Sequence, residues 1–237
     1  MFSSIIRKSA YNICCINLKN PLNWNCIGWA KHGIGQSFYI PEVDTMINTG
    51  INLVSGNKMN NFTSPKNIFI TQIKNETVRY LNIYTKTQNI IYPFKYNSIY
   101  NHIYNSVEYN LDNLNVSVNM LNNPEPSCSY GLSIYDKKQL LFMGSISVDY
   151  FYENTMWKEY PVIIVDCANY CDCELTIKYY KKNNNLSLYE LIPIIRTNRN
   201  IRFILTNSNR YISAETIPYI MNIIKKYNID NIYLWFN

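Results

Sequence analysis

Hydrolytic chemistry near neutral pH needs groups that carry protons, lone pairs or metal ions, and this chain is poor in the most useful of them. Only two histidines, His32 and His102, stand among its 237 residues. An open zinc site takes three or more His or carboxylate ligands, because the metal must turn a bound water into hydroxide. Two histidines supply too few nitrogen donors for that. The one metal-like spacing is Cys167-x3-Cys171-x-Cys173, whose soft thiolates would suit zinc. Zinc ribbons and fingers use paired C-x2-4-C elements, so three reduced cysteines near a strand end is the plainer reading. Gly33-x-Gly35 and Gly50 lack the flanking residues of a phosphate-cradling loop and read as turn glycines. No Gly-x-Ser-x-Gly elbow occurs, and Gly144-Ser145 would need a histidine base. A Cys or Ser nucleophile paired with His32 or His102 is the residual hydrolytic option.

Binding chemistry is better represented. Tyrosine reaches 22 residues, with clusters at Tyr100, Tyr104 and Tyr109 and at Tyr150 and Tyr152. Aromatics beside lysines can stack single-stranded bases, although tyrosine is also a strand-compatible residue at the edge of a core. Lys178, Lys181, Lys182, Arg196, Arg199, Arg202 and Arg210 lie together in the C-terminal third of the chain. They are the candidates for phosphate contact, with a solvated surface as the alternative. The net charge of +6 at only 16% charged residues is a mild attraction for polyanions.

The elements that must position these groups are mostly strands. With 47% hydrophobic residues, the chain can bury a substantial core. Asn, Ile, Tyr and Lys dominate over Gly and Pro, a bias expected of an A/T-rich genome such as that of a large DNA virus, a protist or an organelle. Seven cysteines without regular secreted spacing fit a reducing, cytoplasmic compartment. No long apolar run follows Arg7 and Lys8, so neither a signal peptide nor a membrane partner is expected. Runs at 11–17, 23–30, 36–40 and 45–48 predict four strands joined by tight turns, and NIFIT at 67–71 predicts a fifth buried on both faces. The spacing of Val78, Leu81 and Tyr84 predicts a helix over 76–86. Between 89 and 123 the pattern reads strand IIYPF, a Tyr-rich helix near 98–109, then strand NVSVNML. Strands at 130–134 and 139–143 flank a turn at Asp136-Lys137-Lys138. The last third alternates strands at 162–166, 201–205 and 232–236 with helices near 188–195 and 214–227. The class is α/β. With no close internal repeat or flexible linker, one domain over 1–237 is expected.

Two stretches, GIGQSFYIPEVDTMINTG (33–50) and SPKNIFITQIKNET (64–77), resemble the opening of the metallo-β-lactamase superfamily. There a strand ending in Asp-x-Gly leads to a buried strand ending in Thr-His-x-His-x-Asp-His. Four later pieces resemble its ribonuclease Z (tRNase Z) branch in order and spacing: Ser129-Tyr130-Gly131-Leu132-Ser133-Ile134, LLFMGS (140–145), VIIVDCA (162–168) and ILTNSNRY (204–211). The resemblance covers about 33–236. It implies a four-layer αββα sandwich of two mixed β-sheets flanked by helices, and it implies where metal ligands would stand. Those positions are degenerate. Gln72, Lys74 and Thr77 stand where histidines are expected and Glu76 where an Asp is expected. Ser145 replaces a bridging Asp, Thr206 the last His, and NPEPSC (123–128) holds no His before Tyr130-Gly131. A His-Glu pair that would protonate the leaving group reads Val165 and Asp166. A lysine ammonium has no lone pair to give and repels a dication. Lys74 is therefore expected to replace the missing cation beside Glu76 or Asp166.

These residues predict a catalytically inactive ribonuclease Z-like protein retained for binding, with zinc absent and no catalytic residue assigned. RNA, held weakly and without sequence preference, is one expected partner, and a protein partner or a second copy of the chain is the other. The alternatives are an active nuclease or other hydrolase with a remodelled or metal-free site, and a structural or assembly protein.

Overall fold

A computed structural model describes residues 14–15, 25–26, 37–40, 43–50, 64–73, 75–84, 86–92, 101–102, 107–111, 114–121, 127–134, 137–144, 146–182, 185–206 and 216–235. The chain divides into two compact units, with Lys8–Asp136 forming most of one and Lys137–Phe236 most of the other. The class is the α/β class expected, two mixed sheets with flanking helices.

The N-terminal unit opens with β1 (Cys14–Cys15), β2 (Asn25–Cys26), β3 (Phe38–Ile40) and β4 (Thr45–Ile47), then β5 (Asn67–Phe69), β6 (Asn89–Tyr92) and β7 (Asn101–His102). They form one sheet in the order β2-β1-β3-β4-β5-β6-β7. The β4–β5 and β5–β6 pairs are parallel, whereas β3–β4 is antiparallel. Every residue of β3, β4 and β5 is buried, as apolar runs covered on both faces require. Tyr39, Met46, Ile68, Ile70, Leu81 and Tyr84 form one apolar cluster. The helix expected over 76–86 is only α1 (Asn75–Val78), followed by a 3-10 turn at Leu81–Ile83. Leu81 and Tyr84 still bury their side chains, so the apolar spacing marked the buried face without sustaining a helix.

The helix expected near 98–109 is corrected at its described residues, Asn101–His102 in β7 and the stretch from Val107 onward. Val107–Leu111 is strand β8, antiparallel to β9 (Leu114–Leu121), with Val107 opposite Val118 and Tyr109 opposite Val116. Glu108 and Asn110 are exposed two residues apart, the spacing of one face of a strand. Strand β10 (Ser127–Ile134) completes an antiparallel meander against β9.

The C-terminal unit holds β11 (Lys137–Met143), β12 (Val162–Asn169), the two-residue β13 (Leu186–Ser187), β14 (Arg202–Thr206) and β15 (Ile232–Trp235). Its strands run in the order β15-β14-β12-β11, with β13 beside β12. The strands β11, β12, β14 and β15 pair in parallel. All eight residues of β12 are buried, which is why VIIVDCAN reads as one apolar run with a carboxylate inside it. Four helices accompany these strands: α2 (Asp149–Glu153), α3 (Glu174–Lys182), α4 (Leu188–Thr197) and α5 (Thr216–Lys226). The helices expected near 188–195 and 214–227 are α4 and α5. The sequence reading did not anticipate α2 and α3. Trp157 packs edge-on against Phe151, ring centres 5.2 Å apart, and lies 6.2 Å from Phe203, joining the α2 region to β14. The Asn231 amide donates to the carbonyls of Ile195, Asn198 and Ile201 at 2.8–3.1 Å, fixing the turn from α4 into β14.

Candidate functional site

In the N-terminal unit the ends of β4 and β5 are joined by neutral hydrogen bonds. Asn48 lies just past β4 with φ 61°, a left-handed conformation that asparagine tolerates better than most residues. Its buried Oδ1 accepts the Thr71 N–H at 2.9 Å and the Thr71 hydroxyl at 3.1 Å. Thr49 donates its N–H at 2.6 Å and its hydroxyl at 3.1 Å to the Thr77 carbonyl, tying the β4 end to α1. The Thr77 hydroxyl donates to the Gln72 carbonyl, and Gln72 forms a bridge with Ser127 at the start of β10. Tyr130 on β10 donates its hydroxyl to the Ile70 carbonyl at 2.6 Å, and its ring lies 5.1 Å from that of Phe69. The Cys128 thiol lies 3.5 Å from the same carbonyl. Burial pushes this thiol up to about 12, with Tyr130 opposing the shift.

Two of the expected ligand positions, Gln72 and Thr77, thus form a buried backbone lock. Glu76 falls within α1, and Lys74 lies outside the described residues, as does its expected pairing. Asn48, Thr49 and Thr71 were missed. The signal was the strand-end sequence INTG (47–50), whose asparagine stands where the resemblance places an aspartate.

In the C-terminal unit the parallel register sets Asp166 opposite Thr206 at the ends of β12 and β14. Both side chains are buried, and the Thr206 hydroxyl donates to Asp166 Oδ1. Beyond Asp166, Cys167 is fully buried, and burial pushes its thiol up to about 12. The buried Tyr170 hydroxyl beside it is raised for the same reason. Asn169 fixes the following loop by accepting the Cys171 N–H at 3.0 Å and donating to the Cys171 carbonyl at 3.2 Å.

The three C-terminal cysteines do not converge, since Cys167 is buried while Cys171 and Cys173 are exposed. The Cys173 thiol is lowered, chiefly by the backbone N–H and hydroxyl of Thr176 in the first turn of α3. Of the histidines, His102 lies in β7 and His32 outside the described residues. Among the described residues, no group of three or more His, Cys, Asp or Glu could hold a metal ion. Among the described side chains at these strand ends, Asn48, Thr49, Thr71, Thr77 and Thr206 offer only amides and hydroxyls, and Asp166 offers a carboxylate bonded to Thr206. Zinc takes deprotonated thiolate, imidazole or carboxylate ligands, so this set of described side chains does not fit it. Ser145 lies outside the described residues.

The basic candidates divide into two groups. On α3, Lys178 pairs with Glu174 at 2.7 Å and Lys181 with Asp149 at 3.0 Å. The Asp149 hydrogen bond raises the Lys181 ammonium. Glu190 in the first turn of α4 is raised by partial burial, against the Ser187 N–H and Lys181, which favour its charge. Arg196 and Arg199 lie at the C-terminal end of α4, and Arg202 begins β14. Lys182 ends α3, and Arg210 lies outside the described residues.

Among solved structures, the chain is similar to the metallo-β-lactamase fold protein YhfI from Bacillus subtilis. The match has a TM-score of 0.59 at 8% identity and covers 84% of this chain and 86% of that one. The fold is the metallo-β-lactamase fold. The isothiocyanate hydrolase from Delia radicum gut bacteria is similar at TM-score 0.54 and 8% identity, covering 74% of this chain and 75% of that one. A diphosphatase from the PhnP family is similar at 0.52 and 9%, covering 81% and 77%. At these identities the likeness speaks for the metallo-β-lactamase fold alone and singles out no branch within it, ribonuclease Z included. No protein-family model matches the sequence, and no curated protein matches it either. No helix among the described residues is long and apolar enough to cross a membrane.

Proposed function

We propose that this chain is a ribonuclease Z-like protein of the metallo-β-lactamase fold that has given up metal-dependent hydrolysis and acts by binding, with RNA as its first partner. One observation carries the reading. Where the resemblance places metal ligands, the Gln72 backbone bridges to Ser127, the Thr77 hydroxyl donates to the Gln72 carbonyl and the Thr206 hydroxyl donates to Asp166. These groups stabilise strand ends and offer no anionic cage for a dication. Fold alone does not assign a reaction, because the chemistry resides in the site placed on it. The net charge of +6 supports a polyanionic partner. Cys128, Cys167, Cys171 and Cys173 are free thiols, which supports a reducing, cytoplasmic location.

The test incubates the full chain with a labelled precursor tRNA and with single-stranded RNA, each with added zinc or manganese. The expected result is retention of intact RNA at low salt with no cleavage above the protein-free rate. Affinity should fall linearly on a log-log plot against salt, with a slope of about −0.7 per phosphate contacted. Metal-dependent cleavage would support the remodelled hydrolase instead, and no binding even at low salt would leave a structural or protein-partner role.

A further inference from the structure

We propose that a groove at the C-terminal end of α4 is the seat of the nucleic acid, taking a nucleotide of single-stranded RNA with its phosphate on Arg196 and Arg199 and its base against Tyr189 and Tyr227. This deepens the RNA reading above and rests on it. The groove encloses about 550 Å³ and lies wholly within the C-terminal unit. Ile192 and Pro193 give it an apolar side, the two arginines a cationic one, and the two tyrosines an aromatic one.

The arginines are chemically available. Arg196 is exposed and has no carboxylate within ion-pair distance among the described residues. Arg199 stands 3.8 Å from Asp230 with both side chains more than half exposed, a loose pair that a phosphate can displace. A guanidinium suits this task because its planar fork meets two phosphate oxygens at once. The α3 lysines differ, since Lys178 and Lys181 each hold a carboxylate at 3.0 Å or less. Arg196 also suits the negative end of the α4 dipole, which accounts for one basic residue in a last turn. It does not account for a second arginine and two tyrosines around the same hollow.

The aromatic side argues for a nucleotide over a bare phosphate. The Tyr189 hydroxyl lies 3.1 Å from that of Tyr219, which holds the two rings to each other across α4 and α5. Lys226 lies 5.5 Å from the Tyr227 ring and adds a third cation at the edge. Against these stand Asp230 and Asp172, the latter close enough to act on the Tyr189 phenol. Base stacking on tyrosine tolerates any sequence, matching the non-specific binding expected of the chain.

The experiment measures anisotropy of a short fluorescein-labelled oligouridine across salt, with inorganic phosphate as competitor and urea midpoints recorded for every variant. Replacing Arg196 and Arg199 together with alanine should weaken binding on the order of tenfold at low salt and flatten the log-log slope by about 1.4, as for two lost contacts. Tyr227→Ala should weaken binding by about tenfold while keeping the slope, because stacking releases no counterions. Lys137→Ala, an exposed lysine on β11, should change neither. Unchanged binding in the arginine and tyrosine variants, or a loss seen only with Lys178→Ala and Lys181→Ala, would overturn the groove while leaving the RNA reading intact. Phosphate competing as strongly as unlabelled oligouridine would overturn the base-stacking half. No binding by the unmodified chain would overturn both readings together.

Discussion

Trp157→Ala is expected to destabilise the C-terminal unit by about 3–5 kcal/mol, the range for deleting a large aromatic from a packed core. Trp157 is almost fully buried, and its indole N–H donates to the Phe151 carbonyl at 3.1 Å. Its ring meets Phe151 edge-on at 5.2 Å and Phe203 at 6.2 Å, so one truncation opens a cavity bordered by α2 and β14. The neighbours are themselves large rings on regular elements and can close that cavity only in part. Trp157→Phe keeps most of the packing and leaves the Phe151 carbonyl without its donor, so it should cost about 1–2 kcal/mol. Urea unfolding reads both. A Trp157→Ala variant within about 1 kcal/mol of the parent would mean that the ring cluster does not hold this unit together.

Alkaline pH should weaken the fold through its two buried thiols. Cys128 and Cys167 ionise at an ordinary value of 9.0 when exposed and at about 12 when folded, because burial penalises the thiolate. Below pH 9 both states keep the proton and the thiols make no difference. Above it the unfolded chain releases protons that the folded chain retains, so stability falls as pH rises and continues to fall until the folded value is reached. Each thiol contributes about 1.4 kcal/mol per pH unit, on the order of 4 kcal/mol by pH 12. Replacing both cysteines with alanine should therefore lower stability slightly at pH 7 and flatten the decline above pH 9. Equal alkaline slopes in parent and variant would mean that these thiols ionise normally in the folded chain.

The parts of the fold legible in the sequence were those in which burial alone selects the residues. VIIVDCAN, NIF and RFILT are apolar runs too short for helices and too continuous for half-exposed strands, and they became β12, β5 and β14. The stretch at 107–111 overlaps the Tyr-rich segment near 98–109 read as a helix, whereas its state is decided by pairing with Val116 and Val118. Helix α3 was missed because ELTIKYYKK is rich in Thr, Ile and Tyr. The local signal for it is the Glu174–Lys178 spacing, which the structure turns into an ion pair. At the site, Asp166 and Thr206 were legible as positions, because each ends a recognisable strand. Their mutual hydrogen bond was not, since it depends on the register of strands 40 residues apart. The groove tyrosines, Tyr189 and Tyr227, were hidden for the same reason. Tyrosine is frequent throughout the chain, and only the packing of α4 and α5 selects these two.

We propose that side-chain hydrogen bonds such as Asn48–Thr71 and Thr206–Asp166 lock the strand ends of this metallo-β-lactamase fold in place of a metal site. Elemental analysis of the full chain, purified without chelator and passed through gel filtration in buffer containing zinc and manganese, tests it most directly. The expected result is metal far below one ion per chain, with Asp166→Asn leaving the value unchanged. About one zinc, manganese or iron per chain, lost in Asp166→Asn, would contradict it.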